Sequence, residues 1–268
     1  MSIGLYGAGP VTKTFVARLP RLAKRLGPVA APEFRVASRI VNALGAGHAA
    51  KDLAEFDAVH LILISVPDAL LREAVGQLCA AKIAWQQKVV LCDSGLDSSH
   101  LAPMRELGAA TGSMQPIEGL ANQYVAEGDR AAVREAKSLI RQVGGSLLEL
   151  DSARVAHYAA AISLASSLFT PMIGACIECL SVASGNRRES ARVAEDLLLK
   201  SVRGYSHAAG KSWNGAMARG DQDAVLREWT ALAATNPALA RYYRDAAVFA
   251  LTWFDRHPDL REELRKLY

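Results

Sequence analysis

Four cysteines scattered through 268 residues are too few for a disulfide framework, so reduced, mostly buried thiols are expected. Two of them, Cys176 and Cys179, form C-x-x-C, but neither a second pair nor a histidine pair follows, so core packing outweighs a redox role and no metal is expected. Apolar runs stay far below the roughly 20 residues that a membrane helix needs. The longest, such as Val59 to Val66, suit buried strands, and the N-terminus shows no basic-then-apolar leader. A cytoplasmic protein without a membrane partner is predicted. Aromatics make up 6% of the chain, and none interleaves with the basic cluster Arg18, Arg21, Lys24 and Arg25. The net charge of +4 therefore reads as a solvated helix face, able to draw in a phosphate-rich cofactor, and not as a nucleic-acid surface. No Ser-His-Asp or Cys-His set is legible and the carboxylates are not paired, which argues against those nucleophilic and glycoside chemistries.

What is present begins at the N-terminus. Residues 3 to 11 read I-G-L-Y-G-A-G-P-V, an apolar run that stops at Gly7 and Gly9. A strand ending in G-x-G ahead of a helix can hold a dinucleotide pyrophosphate. Gly7 permits the tight turn, Gly9 lets the backbone approach the phosphates, and the helix offers free N–H groups and a positive dipole end. Pro10, Val11 and Thr12 continue the loop. Thr12 stands where a third glycine allows close strand–helix packing, so a wider crossing or a hydroxyl lining the phosphates is expected.

The two halves of the chain differ in periodicity. Ile3 to Tyr6, Phe34 to Ala37, Val59 to Val66, Val89 to Asp93, Gly112 to Met114 and Leu147 to Leu150 read as strands separated by helical stretches. That alternation makes a doubly wound, mostly parallel α/β sheet. After Asp151 only helices follow: Ser152 to about Val182 with Pro171 as a kink or boundary, then Glu189 to Lys200 continuing toward His207, Gln222 to Ala234, Pro237 to Phe254 and Pro258 to Lys266. Residues 1–150 thus form an expected dinucleotide-binding α/β domain and 151–268 an all-α domain. The long alanine-rich helix is more apolar than a domain of this size can cover, which predicts a homodimer through the helical half.

Cofactor residues follow from the strand ends. V-A-S-R at Val36 to Arg39 places a small hydroxyl and a guanidinium at the end of the expected second strand, a pairing that suits a 2′-phosphate, so Ser38 and Arg39 favour NADP. Ser65, Val66 and Pro67 close the central strand and Ser94 follows the next, at carboxyl ends where open sheets build their crevice. Connection turns alone account for these residues equally well.

Several separated segments agree with one family. I-G-L-Y-G-A-G-P-V, S-V-P-D at Ser65, G-S-M-Q-P-I at Gly112, H-Y-A-A-A-I-S-L-A-S-S at His157 and A-M-A-R-G-D at Ala216 cover most of the chain in order. The chain resembles bacterial two-domain proteins in which a Rossmann-like NADP-binding domain precedes a helical domain of uncharacterised function, within the 6-phosphogluconate dehydrogenase C-terminal-like superfamily. Pyrroline-5-carboxylate and ketopantoate reductases and β-hydroxyacid dehydrogenases are related. The resemblance implies an NADP-dependent oxidoreductase of a small carbonyl, imine or hydroxy acid, with a helical domain that helps close the cleft and pairs two subunits. An NADP-binding sensor with little or no catalysis is the alternative. Where the family carries histidine before proline this chain has Gln115, which hydrogen-bonds but cannot exchange a proton. Aligned without a gap, Tyr158 matches the family tyrosine, Ala159 replaces a histidine, and Ser166-Ser167 replaces Ser-Asn. Tyr158, Gln115, Ser166 and Ser167 are therefore the expected substrate-orienting residues, with His157 a packing or surface group.

Overall fold

A computed structural model describes residues 2–7, 23–93 and 97–267. The chain divides into two compact units, Met1–Ala161 and Ile162–Tyr268. The change from strands to helices expected at residue 150 thus precedes the division itself, because the first turns of the next helix go with the sheet.

The first unit is built on eight strands: β1 (Ile3–Gly7), β2 (Leu26–Ala30), β3 (His48–Ala49), β4 (Leu61–Ser65), β5 (Val89–Cys92), β6 (Ala110–Pro116), β7 (Gln123–Gly128) and β8 (Ser146–Glu149). Their order is β3-β2-β1-β4-β5-β6-β7-β8, parallel throughout except for the antiparallel pairing of β6 with β7. Alternation along β4 explains why both faces need cover. Leu61 and Leu63 enter one buried cluster with Ile40, Leu139 and Ile140, while Ile62 and Ile64 enter another with Phe56, Leu71 and Leu78. Helices α1 (Phe34–Leu44), α2 (Asp68–Ala80), α3 (Ala102–Glu106) and α4 (Arg130–Gln142) supply that cover, making the doubly wound α/β architecture expected of this half.

One strand lies elsewhere than expected. The second strand is Leu26–Ala30, and Phe34 to Ala37 opens α1 instead. Gly27 and Pro28 disguise β2 as a turn. Phe34 and Val36 mimic strand alternation, yet Ala37 and Ile40, three residues apart, are the positions α1 buries. β3 and β7 are further strands that the sequence pattern does not announce.

The second unit is helical. α5 (Val155–Ala165), which begins in the first unit, ends in a turn at Ser166 to Leu168, and α6 (Phe169–Ser184) follows. Pro171 falls in the first turn of α6, where its missing N–H has no cost, so it marks a boundary and not a kink. Gly185 closes α6 in the left-handed conformation. α7 (Arg187–Ala208), α8 (Ala216–Arg219), α9 (Gln222–Thr235), α10 (Pro237–Trp253) and α11 (Pro258–Arg265) complete the unit. Asp221 and Asn236 cap α9 and α10, accepting from the Ala224 and Leu239 amides at 3.1 Å each. Val225, Ala247, Leu251, Leu260 and Leu264 form the core of α9, α10 and α11.

Candidate active site

The carboxyl ends of β1, β4 and β5 lie level. Gly7 pairs with Ser65 and Ile64 with Cys92, so Ser65 and Asp93 leave the sheet side by side. The Ser65 hydroxyl donates to the Asp93 carboxylate, and the Asp93 amide donates to the Ile64 carbonyl at 3.1 Å. A narrow crevice lined by Ile64, Ser65, Leu91, Asp93 and Met114 lies at this edge. Gly7 has φ +89°, and a Cβ there would sit 2.1 Å from the Ser65 carbonyl oxygen, so only glycine lets β1 end against β4 in this way. Val66 is buried directly behind Ser65, and Pro67 is exposed at the start of α2. Gly9, Pro10, Val11, Thr12 and Ser94 lie outside the described residues.

The misplaced second strand moves two expected residues. Ser38 and Arg39 do not stand at a strand end; they lie within α1, with Arg39 exposed. Tyr6 pairs with Ala30, so the residues that leave β2 next to the end of β1 are Ala31, Pro32 and Glu33. Glu33 is the N-cap of α1 and its carboxylate makes no capping bond. Arg35 follows in the first turn, exposed, four residues before Arg39 and hence on the same helix face.

Gln115 is half-buried near the end of β6, paired with Val125. Tyr158 is half-buried on α5, where burial pushes its phenol above the ordinary value, so the hydroxyl is a protonated donor at neutral pH. His157 beside it is exposed. Ser166 and Ser167 lie in the turn after α5, and the Ser166 hydroxyl donates to the Ile162 carbonyl at 2.7 Å.

Sequence reasoning omits the most heavily hydrogen-bonded acid at this edge. Glu127, on β7 and 1% exposed, accepts from the Ser98 amide at 2.7 Å and the Ser98 hydroxyl at 2.9 Å. It also accepts from the Ser113 hydroxyl at 2.6 Å and the Ser152 hydroxyl at 2.5 Å. A carboxylate inside the apolar run Tyr124-Val125-Ala126-Glu127 is the signal that could have found it, since a buried acid needs donors. Arg105 stands just beyond, donating to Ser98 Oγ at 3.4 Å and to Asp129 at 3.1 Å. Burial raises the Asp129 carboxyl, but the Thr111 amide and Arg105 outweigh it and hold the group below the ordinary carboxylate range. A depressed folded value adds stability above the unfolded value of about 3.9 and loses it as pH falls through the folded one. Asp129→Asn should therefore melt below the wild type at neutral pH and converge with it in strong acid; parallel melting curves across pH would contradict this.

Comparisons with known proteins agree with the geometry. Residues 123–248 match a family model described as "Domain of unknown function (DUF2520)". No curated protein matches the chain by sequence. Among solved structures, a candidate NADP oxidoreductase from Bacteroides fragilis superposes with a TM-score of 0.72 at 17% identity, covering 92% of this chain and 95% of that one. The imine reductase of Streptomyces aurantiacus covers both chains fully, with a TM-score of 0.64 at 14% identity. The imine reductase of Myxococcus stipitatus, solved in complex with NADP+, gives 0.60 at 11% identity over 95% of this chain and 93% of that one. At such identities the likeness is one of fold: a Rossmann-type sheet followed by a helical region.

Proposed function

We propose that the protein is an NADP-dependent oxidoreductase acting on a small carbonyl, imine or hydroxy acid. The observation that carries this reading is the level edge at which Gly7, Ser65 and Asp93 meet, because a doubly wound sheet takes a dinucleotide at such an edge. The residues fit the cofactor: the left-handed Gly7 backbone leaves no side chain in the way, and two arginines share the face of α1 that follows β2. When bound, the nicotinamide supplies or accepts the hydride. The chain's own part is to hold and orient. Arg35 would hold the 2′-phosphate with Arg39 one turn behind it. The Gln115 amide orients the substrate's polar group, and the Tyr158 hydroxyl hands a proton to the carbonyl oxygen or imine nitrogen.

A fluorescence titration tests this directly. Wild-type protein should bind NADPH and oxidise it with some member of a panel of 2-oxo acids and imines. Loss of a charge-assisted contact of about 1.5–3 kcal/mol predicts a fall in NADPH affinity of roughly tenfold or more for Arg35→Ala, with NADH affinity unchanged. Absence of both NADPH binding and turnover would refute the function, and equal NADPH affinity in the variant would refute the role of Arg35.

A second reading, a cofactor-binding protein with little or no catalysis, draws on Gln115, which has no proton to exchange, and on the Ser166 hydroxyl already committed to Ile162. Turnover abolished by Tyr158→Phe would sink it. Under either reading we infer a homodimer through the helical half, supported by the exposed Leu164, Leu168 and Val182 and by Leu197, Val202 and Tyr205 of α7.

A further inference from the structure

We propose that Glu127 is the positioning residue of this site, fixing three segments through one buried carboxylate. The inference rests on the sheet-edge location given under the proposed function. Each carboxylate oxygen takes two donors: Oε1 the Ser98 amide and the Ser113 hydroxyl, Oε2 the Ser98 and Ser152 hydroxyls. These donors come from different stretches of chain. Ser98 opens the helical turn Ser98–Leu101 that leads into α3, so the start of that turn is pinned. Ser113 precedes Gln115 by two residues and shares its face of β6. Ser152 begins the single helical turn that runs into α5 and Tyr158.

The charge is what makes this arrangement directional. A carboxylate can only accept, so all three serine hydroxyls must turn inward and lose their rotational freedom. Tyr124 and Ala126 enter the core on one face of β7, and Glu127 points to the other, where the serine donors meet it. A bare carboxylate at this depth would be strongly destabilising, and the four donors, with Arg105 behind Ser98, offset that cost. The network thereby couples the strand bearing Gln115 to the helix bearing Tyr158.

Ser152→Ala tests the coupling with the other three bonds intact. It should melt within a few degrees of wild type and bind NADPH within twofold of the wild-type affinity. Amide exchange over residues 153 to 158 should nevertheless run at least tenfold faster, and the emission of bound NADPH should move toward that of the free cofactor. Glu127→Ala should show both changes more strongly. Glu127→Gln keeps the shape and lets two hydroxyls accept in place of donating, so its exchange should return to within about threefold of wild type. Unchanged exchange in Ser152→Ala overturns the proposal, and so does faster exchange with unchanged emission, which would leave the contact merely structural. Should Glu127→Ala fail to fold, Ser152→Ala and Glu127→Gln decide. Faster exchange in a protein whose wild type binds no NADPH supports the anchor and overturns the cofactor reading instead.

Discussion

Gly7→Ala should abolish NADPH binding and lower the melting temperature by roughly 6–20 °C, the shift that about 3–5 kcal/mol produces in a protein of this size class. Two effects add. The backbone at φ +89° disfavours any L side chain by about 1–2 kcal/mol. The new Cβ would also lie 2.1 Å from the Ser65 carbonyl oxygen and 2.7 Å from Val66, and both belong to backbone or buried packing that cannot swing aside. Relief requires β1 to part from β4 at the pair Gly7–Ser65, which is where the sheet edge meets the cofactor in the proposed site. Gly45→Ala provides the control. Gly45 has φ +61° but nothing within 4 Å of its added Cβ, so only the conformational cost of about 1–2 kcal/mol applies and cofactor affinity should be unchanged. Equal melting shifts in the two variants would remove the steric part of the argument.

The legible parts of this fold are those where local and global signals coincide. Val59 to Val66 is apolar on nearly every residue because β4 is central and covered on both faces, and the caps Asp221 and Asn236 announce their helices through side chains that bond within three residues. β2 was hidden because its strand identity comes from pairing with β1 and β3, and such pairing overrides the turn preference of Gly27-Pro28. That single displacement carries Ser38 and Arg39 from the expected strand end into α1, and it is why Arg35, one turn earlier, is the residue proposed for the 2′-phosphate. Gly7, Ser65 and Val66 could be located from sequence since a glycine turn and a strand end are local events. Glu127 could not, since its meaning lies in donors from residues 98, 113 and 152, brought together only when β6 and β7 pair. Ser166 lies in the turn after α5 and not on a helix face, with its hydroxyl on the Ile162 carbonyl.

Replacing both Leu164 and Leu168 with glutamate should convert a dimer into a monomer at micromolar concentration. Neither α5 nor α6 buries a single residue in the isolated chain, and Leu164, Leu168 and Val182 are 63%, 60% and 67% exposed. On α7, which packs against α6, Leu197, Val202 and Tyr205 are about half exposed as well. Patches of this kind mark an interaction surface, and a second copy meets the requirement of an equally apolar face by symmetry. By length and composition residues 152–184 would also suit a bilayer, since an 18-residue window within them has a mean hydropathy of 1.7. The turn at Ser166 to Leu168 argues against that, since it leaves helices of 11 and 16 residues, each short of the roughly 20 needed to span. Burying a leucine is worth about 1.5–3 kcal/mol, so losing two per subunit should weaken association by at least a hundredfold. Sedimentation of wild type and double variant measures this, and NADPH affinity should be retained in the variant if the cofactor edge lies within each chain's own sheet. A wild type that sediments as a monomer at tens of micromolar, or that floats with lipid vesicles, would exclude the dimer.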